Sequence, residues 1–286
     1  MTHFQPQPSD PTPADYEAPV LDPQAPANLP DPDRNLPVPR QSHIISTIVT
    51  PALRLWLRSQ AEHVDDLNLL IEGGDRQLLT GLIPRVTISA RNVVYRGLYL
   101  DRIMLVGRGI KINFRQILRG KPLQLERTVP VQAEVRLSQQ DLNDSLQSPL
   151  LAGAISDLLM NLLKAGAAPD LVTPDGKTPI LLDNFRAKVA PGLLTLGAEL
   201  VSSNQGSPVP FIIRTGLRTT NGQQLHLVNP EWLPTPKAKR GLVLHDLDGF
   251  PLELGSDVEI QDLELGDRQV ICRGKINVVP DGAAVN

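Results

Sequence analysis

A single cysteine, Cys272, in a chain of 286 residues leaves no partner for an internal disulfide, and a reducing cytoplasm is the expected setting. Aromatic residues make up only 3%, too few to build a stacking platform for single-stranded nucleic acid. Helix-turn-helix and RNA-recognition signatures are also missing, so no nucleic-acid partner is expected. No apolar run approaches the ~18 residues that a membrane-spanning helix needs. The best candidate, Leu150 to Leu163, is interrupted by Asp157 and Asn161. Nor does Met1 to Pro13 have the basic start and apolar core of a secretory signal. These absences predict a cytoplasmic chain that meets membranes only at their surface.

Catalytic and metal-binding patterns are equally scarce. His3, His43, His63, His226 and His245 are scattered without H-x-x-x-H or H-x-H spacing, and one cysteine completes no familiar zinc pattern with them. His63 beside Asp65 and Asp66, and His245 beside Asp246 and Asp248, read as surface loops, because no G-x-S-x-G nucleophile turn exists for either to serve. Gly176-Lys177-Thr178 has the tail of a phosphate-binding loop, but Leu171 stands where that motif requires glycine. Pro174 to Lys177 therefore reads as a hairpin turn. Cys272 falls in a strand pattern as a small buried or edge thiol. No enzyme, metal or cofactor is expected.

What is present begins with a tail. Eleven of the 27 prolines fall in residues 1–40, together with six acids against Arg34 and Arg40. Such composition cannot bury enough apolar surface to offset the entropy of ordering, so the tail is predicted to be disordered. Residues 41–286 are expected to form one domain. Ile44, Ile45, Ile48, Val49, Ala52, Leu53, Trp56 and Leu57 recur at helical spacing, with Pro51 set to kink the helix or divide it. A second helix is announced by Ser148-Pro149 and carries Leu151, Ile155, Leu158 and Leu162 towards Gly166. Ser138-Gln139-Gln140-Asp141 resembles a capping box for a shorter helix across Leu142 to Leu146.

Elsewhere the alternation has period two. Val86, Ile88 and Ala90 oppose Arg85, Thr87, Ser89 and Arg91; Val131, Ala133, Val135 and Leu137 oppose Gln132, Glu134 and Arg136. The phase slips near Asp101-Arg102, which predicts a bulge before the doubly apolar run Ile103 to Val106. Further strands are expected over 180–189, 193–201, 211–217, 225–228, 258–265 and 270–279. Many antiparallel strands with two long helices define an α+β class. Arg108-Gly109-Ile110-Lys111-Ile112-Asn113 is echoed by Arg273-Gly274-Lys275-Ile276-Asn277, a hint of two related halves. Charge is also uneven: residues 76–121 hold ten basic side chains and a single acid, Asp101. Such a segment attracts polyanions unless acids from elsewhere neutralise it in the fold. Of the polyanions, anionic lipid headgroups fit best, since they need charge alone.

The segment Ile71-Glu72-Gly73-Gly74-Asp75-Arg76-Gln77-Leu78-Leu79-Thr80-Gly81-Leu82-Ile83-Pro84-Arg85-Val86, with Tyr95-Arg96-Gly97-Leu98-Tyr99-Leu100-Asp101-Arg102, resembles the LmeA-like phospholipid-binding family. The likeness continues through Gly109 to Asn113, Leu118 to Leu123, Asp141-Leu142-Asn143, Ser148 to Leu151 and Gly266 to Val270. The branch it resembles most is common in photosynthetic bacteria. The resemblance implies a strongly curved antiparallel sheet wrapped around a long amphipathic helix, similar to one half of the tubular lipid-binding proteins, with an apolar groove for acyl chains.

The resulting expectation is a non-enzymatic phospholipid-binding or transfer protein acting at an anionic membrane. Leu53, Trp56, Leu57, Leu151, Ile155, Leu158 and Leu162 are the candidate groove lining. Arg85, Arg91, Arg96, Arg102, Arg108 and Lys111 are the candidate contacts to the anionic surface. The alternative is a structural or protein-interaction module whose groove is filled by its own side chains. A lipid hydrolase is a third reading, without a nucleophile to name.

Overall fold

Antiparallel strands dominate the computed structural model, which describes residues 45–162, 180–202 and 208–280. The expected disordered tail over 1–40 and the expected turn at Pro174 to Lys177 lie outside the described residues. A π-helical turn, Ile45–Val49, runs into α1 (Thr50–Gln60). Pro51 sits in the first turn of α1, where its missing N–H costs no helical hydrogen bond; it divides the predicted helix rather than kinking it.

Then follow β1 (His63–Glu72), α2 (Asp75–Leu79), β2 (Leu82–Tyr95), β3 (Leu98–Lys111), α3 (Phe114–Ile117), β4 (Val129–Ser138), α4 (Gln139–Ser145) and α5 (Pro149–Leu162). The remaining strands are β5 (Ile180–Ala190), β6 (Leu193–Ser202), β7 (Val209–Thr219), β8 (Gln224–Trp232), β9 (Leu242–Val243), β10 (Pro251–Glu253), β11 (Val258–Leu265) and β12 (Gln269–Val278). One sheet has the order β1-β2-β3-β4-β12-β11, the other β10-β8-β7-β6-β5 with β9 against β8.

The α+β class and the strongly curled antiparallel sheet are as expected. The long helices are not: α1 has 11 residues and α5 has 14. Each covers a different sheet. Leu53 of α1 packs with Ile71 and Val86 of the first sheet and with Ile112 just beyond β3, while Leu159 of α5 packs with Phe185, Leu196, Phe211 and Leu227 of the second.

The bulge expected at Asp101-Arg102 is also absent. β2 and β3 keep one register from Leu82 opposite Lys111 to Tyr95 opposite Leu98. The apparent slip arises because both faces of β3 carry apolar residues, Leu100, Met104 and Val106 on one and Ile103 and Leu105 on the other, with Met104 and Val106 buried. Irregularities that bend the sheets fall instead between His63 and Asn68, Asp183 and Arg186, Arg214 and Gly216, and Ile260 and Asp262. The sequence echo does not mark two halves either, since its members lie in β3 and β12, which flank β4 in the same sheet.

The cap signals are realised in detail. Ser138 Oγ accepts from the Asp141 N–H at 3.1 Å while the Asp141 carboxylate accepts from the Ser138 N–H at 2.9 Å. Ser148 Oγ accepts from the Leu151 N–H at the start of α5. Arg96 and Gly97, both with positive φ, turn β2 into β3, the two-residue geometry that suits strand twist. That turn reaches the start of α5, because a Cβ on Gly97 would stand 2.6 Å from Ser148 Cβ. The two sheets meet where the Ile260 N–H donates to Gly222 O at 2.6 Å and Thr219 Oγ1 donates to Ile260 O at 3.2 Å.

Candidate functional site

Strand register brings the apolar stripes together. Residues directly opposite in an antiparallel ladder share a face, so Ala90, Ile103, Val135, Cys272 and Leu263 form one row across β2, β3, β4, β12 and β11. Ile88, Leu105 and Ala133 form the next, and Val131 opposite Ile276 continues a third. This is the face on which Val86 and Ile88 meet α1, here called the inner face. Near β2 it is closed by the α1 core. Farther along, Ile103, Leu105, Val135, Cys272 and Ile276 are only half-buried and belong to neither core among the described residues. The outcome is a partly buried apolar strip on the inner face.

Cys272 reports the character of that strip. Burial pushes its thiol up to about 11, with the carboxylate of Asp262 adding to the effect, because a thiolate is poorly solvated among apolar neighbours. The thiol is therefore held largely protonated, a small, partly buried group among apolar neighbours.

The opposite, outer face carries most of the expected cationic contacts. Arg85 stands opposite Arg108, and Arg91 opposite Arg102, which in turn faces Arg136. Acids from other segments neutralise part of this surface: Arg85 approaches Glu72 at 3.7 Å, and the buried Glu134 holds both Arg136 at 3.0 Å and Arg273 at 2.9 Å. Bonding to Glu134 first, and to Asp262, raises the Arg273 pKa. Arg96 lies apart on the hairpin turn, 5.4 Å above the Tyr95 ring. Lys111 is exposed at the other end of β3.

The expected groove lining is divided between the two cores. Leu53, Trp56 and Leu57 pack with the first sheet, and Leu151, Ile155 and Leu158 with the second. Leu162 closes α5, and its side chain lies outside the described residues. Trp56 lines a cavity of about 360 Å³ with Ala52, Leu55, Pro122 and Leu123. The residues missed by sequence reasoning are Ile103, Leu105 and Cys272. For Ile103 and Leu105 the signal was the alternation of β2 and β4, whose apolar phases predict partners of the same phase on the strand between, while Cys272 lies on β12 opposite Val135.

The histidine pairs need one correction. His63 lies in β1 rather than in a loop, with Nε2 3.2 Å from Asp65 Oδ1. The Asn92 amide, followed by His63, holds the Asp65 carboxyl below its usual range. His245 opens a short 3-10 turn, His245–Leu247. Among the described residues no His, Cys, Asp and Glu cluster could hold a metal ion, and no helix is long and apolar enough to cross a membrane.

The first sheet is thus part of a strongly curled antiparallel architecture with a partly buried apolar face. The profile of the LmeA-like phospholipid-binding family matches residues 41–275, and the chain belongs to that family. No curated protein and no solved structure matches it.

Proposed function

We propose that the protein is a non-enzymatic phospholipid carrier that holds an acyl chain along the inner face of the first sheet and exchanges it with anionic membranes. The partly buried residues Ile103, Val135 and Cys272 of one row and Leu105 of the next carry this reading. Membership of a phospholipid-binding family supplies the ligand class. Leaving water is worth ~0.8 kcal/mol per methylene, yet a bilayer already provides nearly all of that. The groove therefore needs only to match hydrocarbon, and its benefit is kinetic, sparing the chain a passage through water. Native mass spectrometry of gently purified protein tests this reading. A phospholipid-sized adduct released by mild activation is expected; protein free of lipid, and taking none up from vesicles, would establish the self-filled interaction module instead.

A further inference from the structure

Three helices bring their free sides to one end of the first sheet. α1, α2 and α3 meet through a shared core containing Leu53, Leu78, Phe114 and Leu123. Outside that core, Leu55 on α1 is 73% exposed, Leu79 at the end of α2 is 53% exposed and Leu118 just after α3 is 55% exposed. A cavity lined by Leu55, Trp56 and Pro122 joins α1 to the segment just after Leu118. Arg54, Arg58, Arg76, Arg115, Arg119 and Lys121 are exposed in the same segments, which contain one acid, Asp75. Among the described residues none of these six cations forms an ion pair. On the outer sheet face, by contrast, Arg85 has Glu72 and Arg136 has Glu134.

We propose that this end, and not the outer sheet face, docks the protein on an anionic phospholipid bilayer. The inference deepens the carrier reading, on which it rests for the bilayer as source of lipid. Separated leucines with cations around them suit the headgroup boundary: the apolar tips enter the acyl region while the long basic side chains stay hydrated beside phosphate. Each cation near an anionic surface adds attraction that salt screens.

The test uses the full chain and vesicles of phosphatidylcholine with and without phosphatidylglycerol, read by cosedimentation. The protein should bind the anionic vesicles at low salt and release them at high salt. Replacing Leu55, Leu79 and Leu118 together by serine should weaken partitioning by about tenfold or more, since each leucine contributes through partial burial. R115E with R119E should weaken it by at least about 25-fold, from roughly fivefold per charge removed. R85E with R91E should have a smaller effect. In a W232F background, which leaves Trp56 as the sole tryptophan, emission should shift to the blue on anionic vesicles and remain unshifted in the leucine variant.

Wild-type binding in the leucine and R115E/R119E variants would overturn the proposal, as would a dominant effect of R85E/R91E. Equal binding to both vesicle types would overturn its electrostatic basis. Bound phospholipid in native mass spectra is read separately. A protein that carries lipid yet binds no vesicle sinks the docking surface alone, whereas one that binds vesicles through the leucines yet never holds lipid sinks the carrier reading alone.

Discussion

Asn143 on α4 and Ala187 on β5 pair in both directions, the Asn143 Nδ2 donating to Ala187 O at 2.9 Å and the Ala187 N–H donating to Oδ1 at 2.9 Å. The side-chain amide thus acts as one more strand residue on the outer edge of the second sheet. Gln139 extends the cover by accepting from the Val189 N–H at 3.1 Å, so a sheet edge otherwise open to another chain is partly occupied.

Asn143→Ala should destabilise the protein by about 2 kcal/mol, because both bonds to Ala187 and a third to Gln139 O are lost and the Ala187 N–H is left without its acceptor. Asn143→Asp keeps an acceptor but sets a carboxylate against Ala187 O, and it should not restore stability. Chemical denaturation of the two variants beside wild type measures this. A loss below about 0.5 kcal/mol for Asn143→Ala would show that water replaces the amide.

Gly97 and Gly192 provide a matched pair. Both have positive φ, 74° and 72°, but a Cβ on Gly192 meets nothing within 4 Å, whereas one on Gly97 stands 2.6 Å from Ser148 Cβ. Gly192→Ala should cost only the backbone strain, about 1 kcal/mol. Gly97→Ala should cost about 3 kcal/mol, since the turn must also withdraw from α5. Equal losses in thermal melts would mean that the hairpin and the helix move apart freely.

Cys272 should react slowly. A thiol raised from 9.0 to about 11 has about a hundredfold less thiolate at pH 8 than an unshifted one. Iodoacetamide labelling of native and urea-unfolded protein measures the ratio. An acid whose folded pKa is raised contributes stability that is complete below its unfolded value and lost as pH climbs to the folded one. Wild type should therefore lose stability between about pH 9 and 11 relative to Cys272→Ala. Coincident pH profiles would remove the apolar setting of the thiol.

The inner face and the α5 core respond differently to added bulk. Leu105→Trp, on the half-open strip, should block uptake of a fluorescent phospholipid while lowering stability by less than ~1 kcal/mol. Leu158→Trp, packed in the second core, should cost the ~1–3 kcal/mol of overpacking and leave uptake intact. The reverse pattern would move the lipid to the second sheet.

Much of this arrangement is written in local pattern. The alternation around Val86 and around Ala133 correctly assigns the apolar phase of β2 and β4, and Ser138 and Ser148 announce α4 and α5. Periodicity states that a helix has an apolar face but not which sheet it covers, so it could not separate Leu53, Trp56 and Leu57 from Leu151, Ile155 and Leu158. The expected bulge failed because β3 carries apolar residues on both faces, so that Leu100, Met104 and Val106 share one face without any change of register. Leu55, Leu79 and Leu118 gave no signal at all: a single exposed leucine is ordinary, and only the meeting of three distant helices makes these three a group.

Two apolar cores, each with its own helix and sheet, share no member, and the sheets are joined by hydrogen bonds such as Ile260 N–H to Gly222 O and Gly192 N–H to Leu265 O. Such a division lets the protein breathe unevenly. Local opening draws on the weakest cooperative unit rather than on global stability, so the first sheet can spread around an entering chain while the packing of Phe185, Phe211 and Leu159 remains shut. Backbone amides of β3 and β7 would then exchange with solvent deuterium on separate clocks, and only the clock of β3 would slow when a lipid is seated.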